Sequence, residues 1–164
     1  MAALSKGGKA PSFELPGVDG KTYSPDNLSK GDLAVVAFFK ESCPVCHLAF
    51  PYLDKIFSNH KEDVNIRFFG VAQESRSGAK KFIQNFNLSM PVALDEDPYP
   101  VSRKYGLTNV PTVFVIDGEG KVVESLVGFD KKGYESVAAR LAQASGTPQA
   151  DVFKGASVPD FKPG

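Results

Sequence analysis

Seven consecutive apolar residues, Leu33 to Phe39, run almost directly into a helical repeat that begins with a cysteine. The run is strand length and rich in valine and phenylalanine. A strand covered on both faces of a sheet reads this way. From Cys43 to about Asn59 the period changes. Cys46, Ala49, Phe50, Leu53, Ile56 and Phe57 then recur at helical spacing on one face. Pro51 lies inside that pattern and removes the backbone donor that would reach the His47 carbonyl. The spacing therefore predicts a helix kinked at Pro51.

The rest of the chain repeats the alternation. Residues 64–72 read as a second strand and 80–86 as a short helix. Pro91 to Leu94 reads as a brief strand and Val101 to Tyr105 as a short helix. Thr112–Ile116 and Val122–Val127 flank Asp117-Gly118-Glu119-Gly120, which predicts a hairpin. Tyr134, Val137, Ala138 and Leu141 stand at i, i+3, i+4 and i+7, which predicts a last amphipathic helix. Crossover helices between strands imply parallel pairing, and the late hairpin adds an antiparallel edge. The expected class is α/β: a sandwich built on a mixed central sheet with helices on both faces. Phe13-Glu14-Leu15 and Lys21-Thr22-Tyr23, around the turn signal Gly17–Gly20, predict an N-terminal β-hairpin within residues 10–24. One domain is expected over residues 1–146, followed by an irregular, Gly- and Pro-rich tail over 147–164. The tail segment Gly155–Phe161 repeats the Gly, Pro and Phe spacing of Gly7–Phe13. This is either coincidence or a strand-like arm that packs on its own or a neighbouring subunit.

Composition narrows the function classes. The chain has 164 residues, 42% hydrophobic and 23% charged, which suits one globular domain. Lys+Arg and Asp+Glu balance at 19 each, so no basic surplus points to nucleic acid or an anionic membrane. No stretch has the apolar length of a membrane span. The first residues lack the apolar core of a signal peptide, so the chain as it stands is expected to be cytoplasmic. A chain trimmed of a leader and exported would read the same.

Only two cysteines occur, Cys43 and Cys46. A helix beginning at Cys43 aims unpaired backbone N–H groups and its positive end at that sulfur, favouring thiolate over thiol. Cys46 follows one turn later and faces the core. Cys43 is then placed to attack a disulfide, and Cys46 to resolve the mixed disulfide. Pro44 suits the first helical turn, where no hydrogen bond is lost. Two buried, inert thiols are the plain alternative, and the strand–CxxC–helix context argues against them. Two other chemistries use the same residues. Cys43-Pro44-Val45-Cys46-His47 matches the c-type haem attachment pattern, but the β-rich flanks fit badly and Met90 is poorly placed as a distal ligand. A zinc site would combine Cys43, Cys46, His47 and His60, with no second pair at the usual spacing. The expectation is no metal and no cofactor beyond a redox-active Cys43–Cys46 disulfide.

The chain resembles the thioredoxin superfamily, in its AhpC/TSA and TlpA-like branch of thiol–disulfide oxidoreductases. The resemblance runs from about Lys9 to Ala144. It rests on Ala10-Pro11-Ser12-Phe13, the Val35–Phe39 strand, Cys43-Pro44-Val45-Cys46, Phe50-Pro51, and Val110-Pro111-Thr112 ahead of Phe114–Asp117. It implies a thioredoxin-like sandwich, dithiol–disulfide exchange with protein thiols, and antioxidant activity. It implies Cys43 as attacking and Cys46 as resolving cysteine. Pro111 becomes a cis-proline facing the pair, with Val110 offering backbone groups to a substrate chain. The implied partners are protein thiol or disulfide substrates and a reducing or oxidising protein. Oligomeric state, and the direction of exchange, are left open by these residues.

The departures are specific. Relatives often carry a buried acid that manages the proton of the resolving cysteine. The two places for it are Ala37, six residues before Cys43, and Ala49, three after Cys46. Lys40, Glu41 and His47 are the nearby groups left to modulate the pair, and Lys40 is expected to hold the Cys43 thiolate by charge. The peroxiredoxin motif would need Pro at Val36 and Thr at Lys40, and has neither. A peroxiredoxin-like thiol peroxidase is the nearest competing enzyme, and this chain lacks the hydroxyl and tight loop that would activate peroxide. A non-catalytic binding module using the pair as a redox switch is the competing non-enzyme.

Overall fold

The computed structural model describes residues 3–164. The apolar run forms the central strand, and all of its residues are buried. Its neighbours fix its place. We label the elements in chain order: β1 (Leu15–Pro16), β2 (Thr22–Tyr23), β3 (Leu33–Phe39), α1 (Pro44–His60), β4 (Ile66–Ala72), α2 (Arg76–Phe86), β5 (Val92–Leu94), α3 (Pro100–Lys104), β6 (Thr112–Asp117), β7 (Val122–Val127), β8 (Phe129–Asp130), α4 (Lys131–Ser145) and β9 (Phe161–Lys162). The main sheet has the order β5-β4-β3-β6-β7. β3 pairs parallel with β4, and β4 with β5. β6 pairs antiparallel with β3, and β7 with β6. The sheet is mixed, with parallel strands on one half and the hairpin on the other.

Alternate residues of β3 feed two cores, because side chains along a strand point to opposite faces. Val35, Ala37 and Phe39 face α1, α2 and α4. Phe39, Phe50 and Phe82 stack there, with ring centroids 4.6 and 4.2 Å from Phe39. Each such ring contributes about 2–3 kcal/mol through burial. Ala34, Val36 and Phe38 face Phe13, Leu15, Val101 and Tyr105. Helices do lie on both faces, but unequally. The second face has only the short α3, and the N-terminal segment covers the remainder. The predicted N-terminal hairpin is present as β1 paired with β2.

Two boundaries differ from the periodicity. α2 begins at Arg76, earlier than the apolar pattern, because the Ser75 hydroxyl accepts from the Gly78 N–H as an N-cap. α4 begins at Lys131 for the same reason, with the Asp130 carboxylate accepting from Gly133. α1 is one continuous helix from Pro44 to His60, with Pro51 inside it. Residues 147–164, expected to be irregular, include one short pairing. Phe161–Lys162 pair antiparallel with Phe129–Asp130, and Val152 and Phe153 are buried against the main core. The Phe153 ring lies 4.9 Å from that of Tyr52 and 5.9 Å from that of Phe129. Two aromatic contacts hold a segment whose own sequence has no helical or strand period.

Candidate active site

The site lies where β3 ends and α1 begins. Cys43 is the N-cap of α1, in extended backbone, and its sulfur accepts a hydrogen bond from the Cys46 N–H at 3.2 Å. Pro44 occupies the first helical turn. The predicted arrangement of a sulfur capping a helix is therefore met by a specific donor. The same sulfur donates to the Val110 carbonyl at 3.4 Å. Cys43 is half-exposed, whereas Cys46 is fully buried. Both are free thiols.

Burial raises the Cys46 thiol well above its ordinary value, and the Cys43 sulfur raises it further. The Lys40 backbone pulls the other way. No carboxylate acts on it, which follows from Ala37 and Ala49, both completely buried. Burial pushes the Tyr134 phenol well above its ordinary value, and negative charge on Cys46, Asp130 and Cys43 raises it further. Its hydroxyl donates to the Gly128 carbonyl at 3.2 Å. Tyr134 is a neighbour of the pair that sequence reasoning treated only as one position of an amphipathic helix. Nothing in its spacing marks it otherwise.

The Val110–Pro111 peptide bond is cis, and so is Asp97–Pro98, which no sequence motif singled out. Thr112 is buried and its hydroxyl donates to the Asn109 carbonyl at 2.8 Å, holding the loop ahead of β6. The Pro111 carbonyl accepts from the Gly128 N–H at 2.8 Å, which ties this loop to the end of β7.

Lys40, Glu41 and His47 each turn to other partners. The Lys40 ammonium lies over the Tyr99 ring, 5.5 Å from its centroid. The Glu41 carboxylate pairs with Lys81 at 3.4 Å, and its backbone N–H donates to Glu74 at 3.0 Å. His47 Nε2 bonds the Glu41 carbonyl at 2.6 Å, and its ring lies 4.9 Å from that of Phe86. None of the three side chains makes a hydrogen bond to either sulfur. His60 lies at the far end of α1 and bonds Asp63 at 2.7 Å. The four zinc-type ligands are thus spread along the helix, and among the described residues no group of three or more His, Cys, Asp or Glu is gathered for a metal.

A cleft of about 290 Å³ opens beside Val110, lined in part by Lys40, Gln73, Tyr99, Arg103 and Asn109. It adjoins the carboxyl ends of β3 and β4, where open α/β sheets bind ligands.

A mixed five-stranded sheet, a helix capped by the first cysteine of a CxxC pair and a cis-proline loop beside that sulfur define a thioredoxin-like protein. Residues 6–125 match the family model described as the AhpC/TSA family, and the chain belongs to that family. The thiol–disulfide oxidoreductase ResA of Bacillus thuringiensis strain Al Hakam is 31% identical over 127 residues, spanning 77% of this chain and 72% of that protein. ResA of Bacillus subtilis strain 168 is 32% identical over 127 residues, spanning 77% and 69%. A Chlorobium tepidum structure assigned as the thiol:disulfide interchange protein DsbE superposes with a TM-score of 0.73 at 29% identity, covering 88% of this chain and all of that one.

Proposed function

We propose that this thiol–disulfide oxidoreductase works through nucleophilic attack by Cys43 and resolution by Cys46. In the reducing direction the Cys43 thiolate bonds to one sulfur of a substrate disulfide, and the other substrate sulfur leaves as a thiolate. Cys46 then loses its proton and attacks Cys43. The mixed disulfide breaks, the second substrate thiolate departs, and the protein keeps a Cys43–Cys46 disulfide. Two electrons pass from the protein dithiol to the substrate. The same steps in reverse oxidise a substrate dithiol.

The observation that carries this reading is the contrast in position. The half-exposed Cys43 sulfur takes the Cys46 N–H at 3.2 Å, while the Cys46 thiol is buried one turn behind it. The exposed sulfur meets the substrate and the buried one is withheld until the first bond has formed. Val110 and Pro111 flank the point of attack, and substrates are protein thiols or disulfides. Lys40 contributes charge near Cys43, and Glu41 and His47 brace the strand–helix junction.

The test equilibrates the protein in defined glutathione buffers and traps free thiols with a mass tag. One two-electron transition carrying both tags is expected. Two independent one-thiol titrations would remove the reading.

A further inference from the structure

A substrate disulfide that reaches Cys43 must bring its chain past Val110, because the Val110 carbonyl lies 3.4 Å from that sulfur. The two sides of Val110 differ. Towards β7 and β8 the way is closed by the protein's own residues. The Asn109 side-chain amide donates to the Gly164 carbonyl at 3.0 Å. A Cβ added to Gly164 would collide with the Val110 carbonyl, so the backbone of this segment already lies against it. The segment is held from behind by the β8–β9 pairing and by the Lys131 N–H, which donates to the Asp160 carbonyl at 3.0 Å.

Towards β3, β4 and α3 the way is open, through the 290 Å³ cleft. Its charged lining residues are Lys40 and Arg103, and neither is in an ion pair among the described residues. The carboxylate beneath them, Asp95, is fully buried. It accepts from the Ser102 N–H at 2.8 Å, the Ser102 hydroxyl at 2.7 Å and the Val101 N–H at 3.2 Å. Its hydrogen-bonding capacity is spent inside the α3 turn. The acids nearby, the half-buried Glu74 and the exposed Glu96 and Asp97, line a separate depression across Tyr99. Tyr99, with Lys40 over its ring, marks the change of sign. On the Cys43 side of it the charged side chains lining the cleft are positive.

Resting on the oxidoreductase reading above, we propose that this cleft selects polypeptide disulfides whose cysteine is flanked closely by acidic residues. Lys40 and Arg103 receive the carboxylates, and residues 160–164 form the wall that directs the chain there. A basic flank meets two unpaired cations in a confined space and is disfavoured. Complementary charge acts mostly on the rate of productive encounter, and it weakens with salt.

The test uses the full chain, reduced, and two peptides that differ only in Asp or Lys beside a central cysteine. Each cysteine is capped by 2-mercaptoethanol, a neutral leaving group. Each rate is divided by that of dithiothreitol with the same peptide, which removes the peptide's own reactivity. At low salt the acidic peptide is expected to react about tenfold faster than the basic one, with the ratio approaching one near 0.5 M salt. Arg103→Gln is expected to lower the ratio about threefold, and Arg103→Lys to keep most of it. Equal peptide rates, a faster basic peptide, or a ratio untouched by Arg103→Gln would overturn the charge preference alone, provided 2-hydroxyethyl disulfide is still reduced. If that neutral disulfide and both peptides are inert, the oxidoreductase reading fails, and this proposal with it.

Discussion

Cys43 and Cys46 stand one helical turn apart, yet they occupy two different regions of the molecule. Cys43 belongs to the surface: half-exposed, capping α1, and touching a loop 67 residues further along the chain. Cys46 belongs to the core, packed with Ala49, Phe50 and the underside of β3. The pairing teaches that one short motif divides its labour by burial. The sulfur that the proposed mechanism offers to a partner is reachable. The sulfur that it holds back is kept protonated by removal from water.

The largest break in this contrast comes from the surface sulfur. Cys43→Ser is expected to abolish exchange, about a thousandfold or more, since a hydroxyl is a far weaker nucleophile than a thiolate. Insulin or peptide-disulfide reduction reads it, and residual turnover above a tenth of the parent rate would reassign the nucleophile. Removing the buried sulfur should leave the first half of the reaction. Cys46→Ser is expected to lose about a hundredfold in turnover while accumulating a mixed disulfide on Cys43, visible as a mass adduct. Absence of the adduct under conditions that reveal one for the parent's slow substrates would contradict the division of roles.

Proton loss from Cys46 gives a subtler effect. Its thiol is raised above the ordinary 9.0, chiefly by burial. The folded dithiol therefore retains a proton that the unfolded chain has released. That contribution to stability is complete below about pH 9 and is lost as pH rises through the folded value, at about 1.4 kcal/mol per unit. Urea titrations from pH 8.5 upward should show the reduced form weakening relative to the disulfide form, which has no such thiol. Parallel curves for the two forms would place Cys46 in water. The smallest effect concerns Lys40, whose ammonium sits over Tyr99. Lys40→Met is expected to slow Cys43 alkylation by iodoacetamide about twofold, through lost charge. An unchanged rate would leave Lys40 with no hold on the thiolate.

Much of this site is legible from local pattern. Leu33–Phe39, the cysteine spacing and the helical face of Cys46, Ala49 and Phe50 are short-range features, and each element forms where its period says. Helix starts were harder to read. Arg76 and Lys131 begin their helices because Ser75 and Asp130 cap them, and caps interrupt rather than extend an apolar period. Lys40, Glu41 and His47 were legible as neighbours of the pair by number alone. Their actual partners, Tyr99, Lys81 and the Glu41 carbonyl with Phe86, come from other elements. Tyr134 shows the converse: its period marks it as core, and only the packing of α4 beside α1 brings it near the sulfurs.

The end segment separates the two kinds of information most clearly. Its composition signals irregular chain, and residues 147–160 contain no regular element. Phe153 nevertheless enters the aromatic cluster of Tyr52 and Phe129, and Phe161–Lys162 pair with β8. Burial of one ring and a two-residue ladder are long-range events with no repeating signature. For the CxxC pair, sequence alone determined that two thiols stand one helical turn apart at the start of α1, because a turn of helix sets that spacing. The tertiary structure decided what those atoms meet: the Val110 carbonyl, the closed side at Gly164 and the open cationic cleft. Those neighbours are assembled across the whole chain, and no local spacing encodes contacts between residues so far apart.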